Sequence, residues 1–226
     1  MAAYLSCHNT PVGVGGVQCP VTGRWFPSLL WDAPSNFRKT LMLWPFNRPR
    51  ARFQPTIEAI YGMIVAQARL PVFYEQYRVP DTVNGRFDMV LLHLWLVLRR
   101  LREAAEGGAA LSQALFDHFC SDMDDNLREM GVGDLSVPKR MLKFAEAFYG
   151  RTAAYDAALQ AGGAELAQAL GRNVLQVAEA APAEPLAAYV QAAVRALDAI
   201  DDKRLLAGEW TFADPASLEQ MQEQVP

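Results

Sequence analysis

Three cysteines in 226 residues, Cys7, Cys19 and Cys120, are too few and too scattered for a disulfide framework. Cys120 stands among helix-core residues, where a buried free thiol is the expected state, and a reducing compartment follows. Long hydrophobic runs are missing as well. The longest, Met89 to Leu98, is interrupted by His93 and falls far short of the ~20 residues a spanning helix needs. No basic segment followed by an apolar one marks a signal peptide at Met1. The chain lacks G-x-x-x-x-G-K-[ST], G-x-G-x-x-G and G-x-S-x-G, which removes the common nucleotide-binding and serine-hydrolase classes. It also lacks C-x-x-C and H-E-x-x-H, the usual zinc spacings. An excess of positive charge is absent too: the net charge is −4. Residues 1–50 hold five Lys/Arg against one acid, leaving 16 basic and 24 acidic groups, net −8, for residues 51–226. An acidic body of this kind does not wrap DNA.

What is present is helix-forming. The chain is 51% hydrophobic and 20% charged, with Ala, Leu, Glu, Gln and Arg crowding its second half. Residues 1–41 differ: four glycines, four prolines and no period. We expect residues 1–53 to be a disordered leader, with Met42 as the true start or, as the alternative, residues 1–41 as an acid-poor organelle-targeting segment, and 54–226 to form one helical domain. The periodicity predicts an all-α bundle of about six to seven helices. These run near Thr56–Arg69, Pro71–Tyr77, Asn84–Ala105, Leu111–Met130, Ser136–Gln160, Ala164–Ala178 and Pro185–Asp202. The Asn84–Ala105 helix is apolar on every side, which marks it as buried. Gly131 and Gly133 are expected as left-handed C-terminal caps, and Ser136 as an N-cap with Pro138 in the first turn. Trp210 and Phe212 in the tail are expected to pack back on the bundle.

Three constellations carry possible chemistry. On the Leu111–Met130 helix, His118, Asp122, Asp125 and Glu129 share one stripe beside a Leu115, Phe119, Met123, Leu127 face. His118 and Asp122, four apart, could hold a metal or move a proton together with His93. The plainer account is a solvated acidic face, for which Arg99, Arg100 and Arg102 are one internal match. On the Ser136–Gln160 helix, Lys139, Arg140, Lys143 and Arg151 oppose Met141, Phe144, Phe148 and Tyr155. An ordinary charged face and a docking patch for an acidic or RNA-containing partner both fit. Leu43, Trp44 and Phe46, followed by Arg48, Arg50 and Arg52, suit an anionic membrane surface or a loose tail.

Several segments in order resemble the ubiquinol–cytochrome c chaperone family. They are Ile64-Val-Ala-Gln-Ala-Arg69, Val79-Pro-Asp-Thr82, Gly85-Arg-Phe-Asp-Met-Val-Leu-Leu-His-Leu94, Asp122-Met-Asp-Asp-Asn-Leu-Arg-Glu-Met-Gly-Val-Gly-Asp134 and Ala147-Phe-Tyr-Gly-Arg151. The likeness covers residues 57–160. It implies a non-enzymatic assembly chaperone of the cytochrome bc1 complex, without cofactor or metal. Its implied partners are cytochrome b or an early assembly intermediate, with a small helper protein or the ribosome as further contacts. It implies a cytoplasmic place, peripheral on the inner membrane. Such a chaperone needs apolar walls and a polar rim. Trp95, Phe116, Phe148 and Tyr149 are the expected walls, and Asp122, Asp125, Glu129 and Arg151 the rim. The alternative, of a different class, is an all-α metal-dependent hydrolase using His93, His118 and Asp122.

Overall fold

A computed structural model describes residues 50–216, with side chains from residue 53. The expectations placed on residues 1–49, including the Met42 start and the Leu43, Trp44, Phe46 cluster, lie outside the described residues. The described residues are mostly helical and contain no strand. In order they form α1 (Arg50–Ala68), the single turn α2 (Val72–Glu75), α3 (Val83–Glu103), α4 (Gly108–Glu129), α5 (Val137–Ala161) and α6 (Gly163–Leu170). A π turn (Gly171–Leu175) and a 3-10 turn (Ala181–Ala183) lead into α7 (Glu184–Asp198) and α8 (Asp202–Ala207).

The chain needs a sharp entry to α3, and Thr82 supplies it. Its side chain accepts the backbone N–H of Gly85 at 3.1 Å, a regular N-cap. A Cβ at Gly85 would strike the Pro80 carbonyl oxygen, so only glycine lets that loop close so tightly. From there α3 runs through the centre, touching α1, α4 and α7. Leu91 to Leu98 are buried on all sides of the helix, as the unbroken apolar run predicted. Arg100, at its end, donates to the carbonyls of Leu197 and Ile200 and to Asp202. A cation thus meets the negative end of α7.

Helix ends depart from expectation in instructive ways. Gly107 adopts φ +103° as the N-cap of α4, so the Gly107-Gly108 pair, expected to stop α3, opens the next helix; α3 itself ends at Glu103, where Ala104 turns extended. Gly131, at φ +78°, is the left-handed cap, and Val132 N–H closes on the Leu127 carbonyl; Gly133 is not left-handed. Ser136 sits at the start of α5 in helical φ/ψ and its side chain makes no cap bond. The helix expected over Ala164–Ala178 ends at Leu170, where the backbone widens to a π turn and then turns left-handed at Gln176. The tail does pack back. Trp210 donates to the Leu205 carbonyl, Tyr77 to the Pro215 carbonyl and Gln67 to the Ala213 carbonyl.

Candidate partner-binding surface

Helices α4 and α5 form a hairpin with an aromatic seam between them. The i, i+3, i+4, i+7 spacing of Phe116, Phe119, Cys120 and Met123 puts these side chains on one face of α4. Phe144 and Phe148, one turn apart on α5, meet them. Phe116 stacks on Phe148 with centroids 5.1 Å apart, and Phe119 lies 5.5 Å from Phe144. Phe87 of α3 closes the inner end, 5.8 Å from Phe144. At the outer end Tyr149 packs 5.9 Å from both Phe116 and Phe148 and stands 41% exposed. The seam therefore runs from core to solvent. Burial, then Asp117, pushes the Cys120 thiol up to about 12, so it stays protonated and acts as a small apolar side chain.

The structure divides the expected site residues between core and surface. Trp95 is 1% exposed; its ring lies against Tyr155 and its indole N–H donates to Asp156 at 2.8 Å. Phe116 and Phe148 are buried in the seam. Arg151 turns inward and donates to Asp88 at 2.6 Å, and Asp88 is 2% exposed. That pair joins α5 to α3. Trp95 and Arg151 thus hold the hairpin in place, because each has a partner across the bundle that a surface position would not offer. Tyr149, Asp125 and Glu129 are exposed, and Asp122 is half-buried.

Asp122 accepts the hydroxyl of Tyr61 at 2.7 Å. Burial, then this carboxylate, raises the Tyr61 pKa and keeps the hydroxyl a donor. The arginines expected to answer the acidic stripe go elsewhere. Arg99 binds Asp198 and Glu103, Arg100 binds Asp202, and Arg102 binds Asp156. They sit at the end of α3, beside the ends of α7 and α5, and these nearer carboxylates capture them. Arg128 instead bridges Asp124 and Asp134 at the end of the hairpin.

The histidines do not assemble a metal site. Among the described residues no group of three or more His, Cys, Asp or Glu gathers to hold an ion. His93 is fully buried among Phe73, Tyr189 and Phe212, whereas His118 lies edge-on to Tyr61. The proposed trio of His93, His118 and Asp122 is therefore not brought together. His93 belongs to a polar chain that no local pattern of residues marks. Its Nδ1 faces the Met89 carbonyl at 2.8 Å, which requires a proton on Nδ1. Nε2 then accepts the Tyr189 hydroxyl at 2.8 Å, and that hydroxyl accepts from Gln67. Burial pushes His93 down to about 4, so the ring is neutral at physiological pH.

A shallow cavity of about 260 Å³ lies between α1, α2 and the start of α3, lined by Arg69, Pro71, Tyr74, Glu75, Asp81 and Arg86. Arg86 pairs with Asp81 at 2.6 Å and covers the Tyr74 ring, so its charges are matched from within. No helix among the described residues is long and apolar enough to cross a membrane.

Fold and surface together define a class: an all-helical protein in which a hairpin, held on a buried central helix, presents apolar and charged side chains. A family model described as ubiquinol-cytochrome C chaperone matches residues 75–212, and the chain belongs to that family. The match runs from the last residue of α2 into the tail, so it leaves out Ile64–Arg69 and extends beyond the expected end of the likeness at residue 160. A crystal structure of the Cbp3 homolog from Brucella abortus is similar at 42% identity and TM-score 0.66, covering 72% of this chain and 91% of that one. Ubiquinol-cytochrome-c reductase complex assembly factor 1 of Xenopus laevis is 28% identical over 65% of this chain and 74% of its own length. The Mus musculus protein of the same name is 25% identical over 82% of this chain and 65% of its own.

Proposed function

We propose that this chain is an assembly chaperone for the ubiquinol–cytochrome c reductase complex and that it works by binding, without catalysis. The observation that carries this is the family match across 75–212, from the end of α2 to the tail, joined to relatives named for assembly of that complex. The activity belongs to the helical domain, 54–226. Its client is cytochrome b or an early intermediate that contains it, with a helper protein or the ribosome as a second contact, and it meets that client at the membrane periphery. The client lies along the outer end of the aromatic seam, where Tyr149 gives an apolar ring and Asp125 and Glu129 give a polar rim. Phe116 and Phe148 back that ring from below, and Trp95 and Arg151 fix α5 against α3. A tyrosine at such an edge suits an apolar client because it covers area at little entropic cost.

Two measurements test this. Deleting the gene lowers assembled reductase and its cytochrome b while fermentative growth continues; normal reductase in the deletion strain overturns the proposal. In the complemented strain, Tyr149→Ser captures at least tenfold less cytochrome b than the wild-type chain at equal expression. Equal capture moves the client away from the seam.

A further inference from the structure

The far end of the α4–α5 hairpin carries side chains that the fold does not use. From Glu129 to Ser136 every residue but Val132 is exposed. Met130 is 60% exposed and Leu135 90%, among the largest exposures of apolar side chains in the described residues. Immediately beyond, residues 135–145 hold Lys139, Arg140 and Lys143 and no acid. All three are exposed, and none forms an ion pair with a described residue. They occupy the N-terminal end of α5, whose first turn has no carboxylate. Cations at that end oppose the helix dipole. A sequence that keeps them there gains nothing for α5 itself.

We propose that this tip docks on an anionic lipid surface, with Leu135 and Met130 entering the headgroup–acyl boundary and Lys139, Arg140 and Lys143 meeting lipid phosphates. Charge and shape both favour a membrane over an acidic peptide. The cations supply the electrostatic half of interfacial binding and the exposed Leu and Met the apolar half. The side chains of the tip are exposed one beside another rather than recessed, which suits a fluid lipid surface better than the side-chain pockets a peptide needs. Of the carboxylates nearest the turn, Asp124 and Asp134 share Arg128, and Glu129 stands exposed at the end of α4, so the attraction to lipid comes from the α5 side of the tip. The stripe of Asp122, Asp125 and Glu129 belongs to α4, and this arrangement leaves it to the client. The inference rests on the proposed function only for its setting, a client that lives in a membrane.

The test uses the full chain and sedimentation with vesicles of phosphatidylcholine, alone or with phosphatidylglycerol as about a third of the lipid. We expect binding to the anionic vesicles that weakens as salt rises from about 0.1 M to about 0.5 M. The Lys139→Glu, Arg140→Glu, Lys143→Glu variant loses roughly a hundredfold in partitioning, and Leu135→Ser about tenfold, each with an unchanged melting temperature. Equal binding to both vesicle types, no binding, or wild-type binding by the triple variant overturns the proposal. Preferential capture of poly-glutamate by the wild-type tip overturns it in favour of an acidic peptide. Reductase levels in the complemented deletion strain are read in parallel. A chain that restores the reductase without binding vesicles removes the lipid contact and leaves the chaperone function standing.

Discussion

Helices α3 and α5 are nearly equal in length and opposite in use. Thirteen of the 21 residues of α3 are buried, against five of the 25 in α5: Val137, Phe148, Thr152, Tyr155 and Ala158. Three of those five, Thr152, Tyr155 and Ala158, lie in the second half of α5, where Arg151 and Asp156 tie it to α3. Its first half rests mainly on α4 through Phe144 and displays Lys139, Arg140 and Lys143 to solvent. The difference teaches how one bundle can be rigid and receptive together. The core is organised around one helix apolar on all sides, and that frees a second helix to spend half its length on something outside the fold.

The largest expected effect breaks or upholds this contrast directly. Trp95→Ala removes a ring that is 1% exposed, its contact with Tyr155 and its bond to Asp156. A loss of about 4 kcal/mol in unfolding free energy is expected. Leu142→Ala, on the half-buried part of α5, is expected to cost less than about 1 kcal/mol. Denaturant titration of both variants decides it. Similar losses at the two positions would mean that the first half of α5 is as much core as α3.

Next comes a pH effect that belongs to α3 alone. His93 titrates near 6.5 when unfolded, and burial holds it at about 4 in the fold. Between those values the unfolded chain binds the proton and the folded chain does not, so stability rises with pH. The contribution is fully present above pH 6.5 and is lost as pH falls toward 4, up to roughly 3 kcal/mol. Melting curves across that window should show the slope in the wild type and a shallower one in His93→Gln. Parallel slopes would place the acid sensitivity elsewhere.

The contrast also explains what could be read in the sequence. Met89–Leu98 announces a buried helix because nothing polar but His93 interrupts it, and the breaks at Val79–Thr82, Gly131 and Gly162 follow from local backbone chemistry. The all-helical bundle, the order of its main helices and the return of Trp210 and Phe212 were legible for that reason. Tertiary choices were not. Phe148 and Tyr149 are consecutive aromatics, yet one is 3% and the other 41% exposed: Phe148 lies between Phe116 and Phe144, while Tyr149 touches Phe116 only from the edge of the seam. Arg151 looked like part of a basic face until Asp88, 63 residues away, drew it inward. The link from His93 to Tyr189 spans 96 residues and leaves no local trace.

The smallest effect sharpens the comparison on the α4 side of the hairpin, where the acidic stripe mixes two kinds of carboxylate. Asp122 accepts a bond at 2.7 Å from Tyr61 of α1, so it helps attach α4 to the bundle. Asp125 and Glu129 are exposed, and no ion pair or hydrogen bond ties their carboxylates to another described residue. Asp122→Asn keeps the size and an acceptor oxygen but removes the charge from the bond, and a loss of about 1 kcal/mol is expected. Asp125→Asn and Glu129→Gln should each stay within about 0.5 kcal/mol of wild type. They relieve like-charge crowding at i, i+3 and i+4, so a slight gain is the expected sign. If the stripe serves recognition, these two neutral variants keep the fold and lose capture of cytochrome b. Thermal melts and affinity capture on the same samples separate the roles. Stable variants with full capture and full reductase assembly would leave Asp125 and Glu129 as plain solvated surface, and the client contact would then contract to the Tyr149 edge of the seam.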